Sequence, residues 1–158
     1  MDGSTVAVFK AALLDNLQAR PGLNGVKTGY QAPETKTDLA QDAALAAVWF
    51  GDADGTDDVV ALGTPLWLDE TYTVEVIVQV LRPRTDGSQQ AVDAQAAAIL
   101  GEVLGTVCTN PTLGITAFPR CEIVGLGWKH ATGRLGTQPG HGSRFEVRLQ
   151  VEARLTLT

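Results

Sequence analysis

"RFEVRLQVEARLTLT", residues 144–158, alternates apolar and polar side chains along its whole length. Phe145, Val147, Leu149, Val151, Ala153, Leu155 and Leu157 fall on one side of an extended chain. Arg144, Glu146, Arg148, Gln150, Glu152, Arg154, Thr156 and Thr158 fall on the other. Side chains of a strand alternate faces, so this pattern predicts a half-buried antiparallel strand. Such a strand spans about 50 Å at about 3.3 Å per residue, whereas a compact domain of this length is roughly 39 Å across. The far end, residues 152–158, therefore either bends over its own core or reaches an adjacent subunit. Leu155 and Leu157 need a cover in both cases, because burying a leucine is worth about 1.5–3 kcal/mol.

Outward from this strand, "TYTVEVIVQVLRP" (71–83) predicts a second long strand. Ile77 and Leu81 lie opposite its Tyr72, Val74, Val76, Val78 and Val80 row, which suggests a central strand covered on both sides. Pro83 ends it. Ser88 caps a helix over 89–107 with an inner stripe of Val92, Ala96, Ile99, Leu100, Val103 and Val107, and "NPTLG" follows. Near the start, Val6, Phe9, Leu13 and Leu17 repeat at helical spacing over 5–20, with Ser4 as N-cap and Pro21-Gly22 as stop. "GVKTGY" and "AAVWFGD" read as strands, "ADGTDD" as a turn, "VVALG" as a short strand and "TPLWLDE" as a corner. A short helical turn is expected at "DLAQDAALA". "CEIVGLGWK" (121–129) and the terminal strand flank a glycine-rich loop, 130–143. The order predicts a single α+β domain over 1–158, a mostly antiparallel sheet with two helices against one face.

The chain has 158 residues, enough for a real core, and a net charge of −6. Residues 31–70 hold nine acids and one base, while 120–158 hold six bases and three acids. That is not a DNA-binding balance. It fits plain solubility, or acidic and basic regions of separate copies facing each other, or acids lining a passage to which nucleic acid must not adhere. The start "MDGSTVAVFKAALL" has neither a basic segment nor an uninterrupted apolar core, so folding in a cytoplasm and no membrane association are expected. Cys108 and Cys121 read as two buried thiols in a reducing compartment.

No residue pattern asks for chemistry. "DADGTDD" (52–58) has the look of a calcium loop, but its glycine is fourth and no glutamate follows in place. His130 and His141 bracket the glycine-rich loop without a nearby acid or thiol to complete a zinc site. No serine sits in a nucleophile elbow. The expectation is no enzyme, no cofactor and no metal. Two features instead suggest assembly. Opposite the core stripe of the second helix lie Ala94, Ala98, Gly101 and Gly105, although an interior glycine costs a helix about 1 kcal/mol. Small residues admit another backbone, either the first helix or a neighbouring subunit. The fourteen-residue loop, with Arg134 and Leu135 at its centre, far exceeds ordinary hairpin loops and reads as an arm that orders on assembly.

The run "LDETYTVEVIVQVLRPRTDGSQQAVDAQAAAILGEV" (68–103), followed by "EIVGLGWK" (122–129), a glycine-rich loop and "RFEVRLQVEARL" (144–155), resembles the tail terminator proteins of long-tailed bacteriophages, of the lambda type. The opening "VAVFKAALLDNLQARPGLNGVKTGYQAP" (6–33) fits the same group. The resemblance implies an α+β subunit of a hexameric ring that caps the tail tube, stops its growth and presents a surface to the head-tail connector. It implies a virion protein made in the cytoplasm of a bacterial host, with tail tube protein and connector (stopper) protein as partners and with DNA passing through unbound. In such a ring Ala94, Ala98, Gly101, Gly105, Arg134, Leu135, Glu152, Arg154, Leu155 and Leu157 are candidate interface residues. Asp52, Asp54, Asp57 and Asp58 are candidate lumen-facing acids. Two alternatives stand beside it. One is another neck or head-completion connector. The other is a small-molecule-binding domain with a pocket lined by Trp49, Trp67, Tyr72 and Trp128.

Overall fold

The computed structural model describes residues 4–33, 45–61, 66–83, 88–115, 120–135 and 138–157. Among the described residues, helix α1 is Val6–Gln18 and helix α2 is Gln89–Thr109. The strands are β1 (Lys27–Gly29), β2 (Leu45–Ala61), β3 (Leu66–Pro83), β4 (Arg120–Leu135) and β5 (Gln138–Leu157). They form one sheet in the order β1-β2-β3-β5-β4. Only the β1–β2 pair is parallel. The fold is α+β, as the order of patterns predicts.

The terminal strand does not outrun its sheet. β3 is as long as the problem requires, and the two pair from Pro83↔Gly140 to Leu66↔Leu157 without a register shift. Arg154 sits opposite Asp69, and Leu155 opposite Leu68. The backbone of residues 152–157 is thus paired inside its own subunit, which removes strand length as a reason for it to cross to another copy. β2 keeps pace because "ADGTDD" is not a turn. It continues the strand past a bulge between Phe50 and Ala53. Gly55 is there for space rather than for bending: a Cβ would lie 2.4 Å from Tyr72 Cβ and 2.5 Å from the Thr71 carbonyl oxygen. The expected corner "TPLWLDE" likewise yields strand from Leu66 onward.

The glycine-rich loop is also corrected. β4 and β5 stay paired from His130↔Ser143 through Gly133↔Gly140 to Leu135↔Gln138. The expected arm is the distal half of a long hairpin. Of the helical turn expected at 38–46, residues 38–44 lie outside the described residues, and Leu45 and Ala46 belong to β2.

The core lies between the helices and one face of the sheet. Tyr72, Val74, Val76, Val78 and Val80 of β3 and Phe145, Val147, Leu149, Val151 and Ala153 of β5 meet Phe9, Leu13 and Leu17 of α1 and the whole predicted stripe of α2. Ser88 caps α2, its Oγ accepting from the Ala91 amide at 3.2 Å. At α1 the cap position is Thr5, but the Ser4 Oγ does accept from the Val6 amide, at 3.2 Å. The buried Glu70 carboxylate of β3 holds Thr5 itself, accepting from the Thr5 amide at 2.8 Å and the Thr5 hydroxyl at 2.5 Å. A carboxylate at a helix N-terminus is favoured by the helix dipole. The Thr5 hydroxyl also lies 3.0 Å from the Tyr72 hydroxyl, whose ionisation burial suppresses.

Candidate assembly surfaces

The sheet face away from the helices is polar and mixed in charge. Odd-numbered β3 residues and even-numbered β5 residues point there, so Asp69, Glu75, Arg144, Glu146, Arg148 and Arg154 share it. Arg154 clasps Asp69 through Nε and Nη2 of its guanidinium, at 2.7 and 2.9 Å, and lies 5.9 Å from the Trp67 ring centre. The hydrogen bonds from Arg154 hold the Asp69 carboxyl below its ordinary range. Glu152 is 3.4 Å from Arg120. Glu75 shifts the other way: burial, Glu146 and Asp52 push it up against Arg144 and Arg148. One apolar strip interrupts this face, Leu45, Ala47, Trp49 and Ile77 with Leu81 against them.

The four acids proposed to act together do not share one face. By register, Asp54 (opposite Thr73) and Asp58 (opposite Asp69) are on the open face. Asp57 is opposite Glu70, on the helix side, and burial followed by the proximity of Glu70 raises its carboxyl. Asp52 sits in the bulge. All four are exposed.

The small residues of α2 also divide. Gly105 makes room for Arg20 beyond α1: a Cβ there would stand 3.1 Å from its guanidinium, which is 2.6 Å from Glu102 of α2. Its partner is the first-helix segment. Ala94, Ala98 and Gly101 are exposed. Cys108, expected to be buried, is exposed on the same helix, whereas burial pushes the Cys121 thiol up to about 12. Both are free thiols.

At the hairpin base the fold assembles residues that sequence spacing hides. His130 Nδ1 lies 2.8 Å from the buried Ser143 Oγ and 2.9 Å from Asp93 Oδ1 of α2. Gln89 Nε2 donates to the same Asp93 oxygen at 2.7 Å and to the Gly142 carbonyl at 3.0 Å. A serine, a histidine and an acid together suggest a catalytic triad, but a relay needs the serine on one ring nitrogen and the acid on the other. Here both contacts share Nδ1. The cluster clamps the first turn of α2 to the hairpin. The only sequence signal for it is the pairing of His130 with Ser143, which appears once the loop is read as strand.

The four aromatics of the pocket alternative do not converge. Trp49 and Trp67 are on the open face, Tyr72 is in the core, and Trp128 is exposed on β4. A cavity of about 240 Å³ lies instead beside the start of α1, lined by Val6, Ala53, Gly55, Asp57, Glu70 and Tyr72 among others. Among the described residues no group of histidine, cysteine and acidic side chains could hold a metal ion.

No protein-family model matches the chain, and no curated protein matches it in sequence. Its fold is matched by solved structures. One is a chain of the virion of a native gene transfer agent particle, with a TM-score of 0.59 and 14% identity over 98% of this chain and 100% of that chain. At that identity the likeness is one of fold.

Proposed function

We propose that this chain is a structural virion protein that acts as a tail terminator. Copies form a closed ring, six by the family resemblance, which caps the tail tube, stops its polymerisation and meets the head connector. The observation that carries this reading is the end-to-end correspondence of fold with a virion chain, 98% of one and 100% of the other. It joins the sequence resemblance to lambda-type terminators, which covers helix, long strand, helix and terminal hairpin in the same order. The layered architecture adds support. One face of the sheet is covered by helices over β3 and β5, and the other is a solvated surface with acids and bases interspersed. Turned to the lumen, that surface offers passing DNA no continuous row of cations, and phosphate binding depends on such cations. In this arrangement Asp54 and Asp58 face the lumen side, and Asp57 does not.

The purified chain tests the reading. At the highest concentration that stays in solution, native mass measurement is expected to find an assembly of six 16.7 kDa chains. A chain that remains monomeric or stops at a dimer would count against the ring.

A further inference from the structure

The two edges of the sheet differ in charge and in side-chain size. β4 is the terminal strand on one side. Its Ile123, Leu126 and Trp128 point to the helix side yet are 37%, 47% and 66% exposed. Val124, in the bulge of the same edge, is 50% exposed. Bases accompany them: Arg120, Lys129 and Arg148, the last lying over Gly125 at 3.1 Å from where a Cβ would be. On the other side β1 covers only Ala47, Val48 and Trp49 of β2. Residues 51–61 beyond it form the second edge, and this edge holds Asp52, Asp54, Asp57 and Asp58 with no base. An exposed, long strand edge is a template for another chain unless something covers it.

We propose that residues 120–126 of β4 pair antiparallel with residues 50–56 of β2 in a second copy of this chain, head to tail, with Arg120 of one copy set between Asp54 and Asp58 of the next. The inference rests on the ring reading above and names the surface that would close the ring. Strand direction supports it. β2 and β5 run one way and β3 and β4 the other. A neighbour related by rotation keeps its β2 direction, so β4 meets it antiparallel with the helices of both copies on one side. A heterologous contact of this kind closes into a ring when the rotation allows.

Register supports it as well. Following the ladders across the sheet, Arg120 is level with Thr56 through Glu152 and Thr71. Asp54 and Asp58 flank that level on the same open face. Ile123 is level with Ala53, through Leu149 and Val74, on the helix side. There the partner edge offers small side chains, Ala53 and Gly55, and the 240 Å³ cavity next to Val6. Ile123 thus faces a recess, Leu126 is level with Phe50, and Arg120 faces Asp54 and Asp58. Glu122 falls level with Asp54, and within its own copy Arg120 holds both Glu122, at 3.2 Å, and Glu152, at 3.4 Å.

Charge reversal on each edge tests the pairing. The acidic-edge variant Asp54→Lys with Asp58→Lys and the basic-edge variant Arg120→Glu change exposed side chains only, and circular dichroism verifies that each folds. Each alone is expected to lose the ring, and the three changes together in one chain are expected to restore it. Ile123→Glu is expected to abolish it in either charge background. If the parent forms rings and both single-edge reversals keep them, the copies join elsewhere and this inference is overturned while the ring stands. If the parent never assembles, ring and edge pairing fall together.

Discussion

At the scale of single residues, the chain spends its polar groups on holding elements to one another. Glu70 is 3% exposed and is the acceptor that fixes the start of α1 to the middle of the sheet. Removing it strands the Thr5 amide, while the Thr5 hydroxyl keeps the Tyr72 hydroxyl as partner, and an unsatisfied buried donor costs about 1–3 kcal/mol. Glu70→Ala is therefore expected to lower the denaturation midpoint by that order, with an unchanged slope against denaturant. An unchanged midpoint would show that water replaces the carboxylate. His130, Ser143, Asp93 and Gln89 do the same service at the other end, between α2 and the hairpin. None of this was legible in the sequence. Glu70 reads there as one more acid in an acidic segment, and the clamp joins residues 13 and 53 positions apart.

Among the elements, those with an unbroken period were legible and those with glycine and aspartate were not. The alternation of β5 and β3 and the stripe of α2 each specify an element and its buried face, and every predicted stripe residue of α2 is buried. "ADGTDD" and "HATGRLGTQPGHGS" carry the residues of turns, yet the first is strand, as are residues 130–135 and 138–143 of the second. In the first, Gly55 answers to the close approach of Tyr72. In the second, the neighbouring strand supplies pairing that local propensity does not, since β-propensity yields to context. The reassigned hairpin has a direct consequence. Residues 140–143 of β5 are flanked by β3 on one side and β4 on the other, so their amides are expected to exchange slowly in the isolated subunit. Exchange at unprotected rates over this stretch would return it to a loop.

For the whole molecule, charge segregation along the sequence becomes segregation across the sheet. Acids gather at the β2 edge and bases toward β4 and β5, with the helices on one face only. The acidic and basic regions were visible as runs of sequence. Their placement on opposite edges was not, because it depends on the strand order β1-β2-β3-β5-β4, in which the last two strands reverse their sequence order. The candidate interface shifts accordingly, from the terminal residues Glu152, Arg154, Leu155 and Leu157, which are paired at home, to Arg120, Ile123 and Leu126 of β4. As a proposed tail terminator, the protein ends a tail tube by closing a ring on it. Electron micrographs of tail tube protein polymerised with and without the purified chain check this. Tubes alone are expected to grow to uncontrolled lengths, and added chain to halt growth and leave a sixfold ring at the tube end. Tubes of the same lengths in both reactions, with bare ends, would rule the role out.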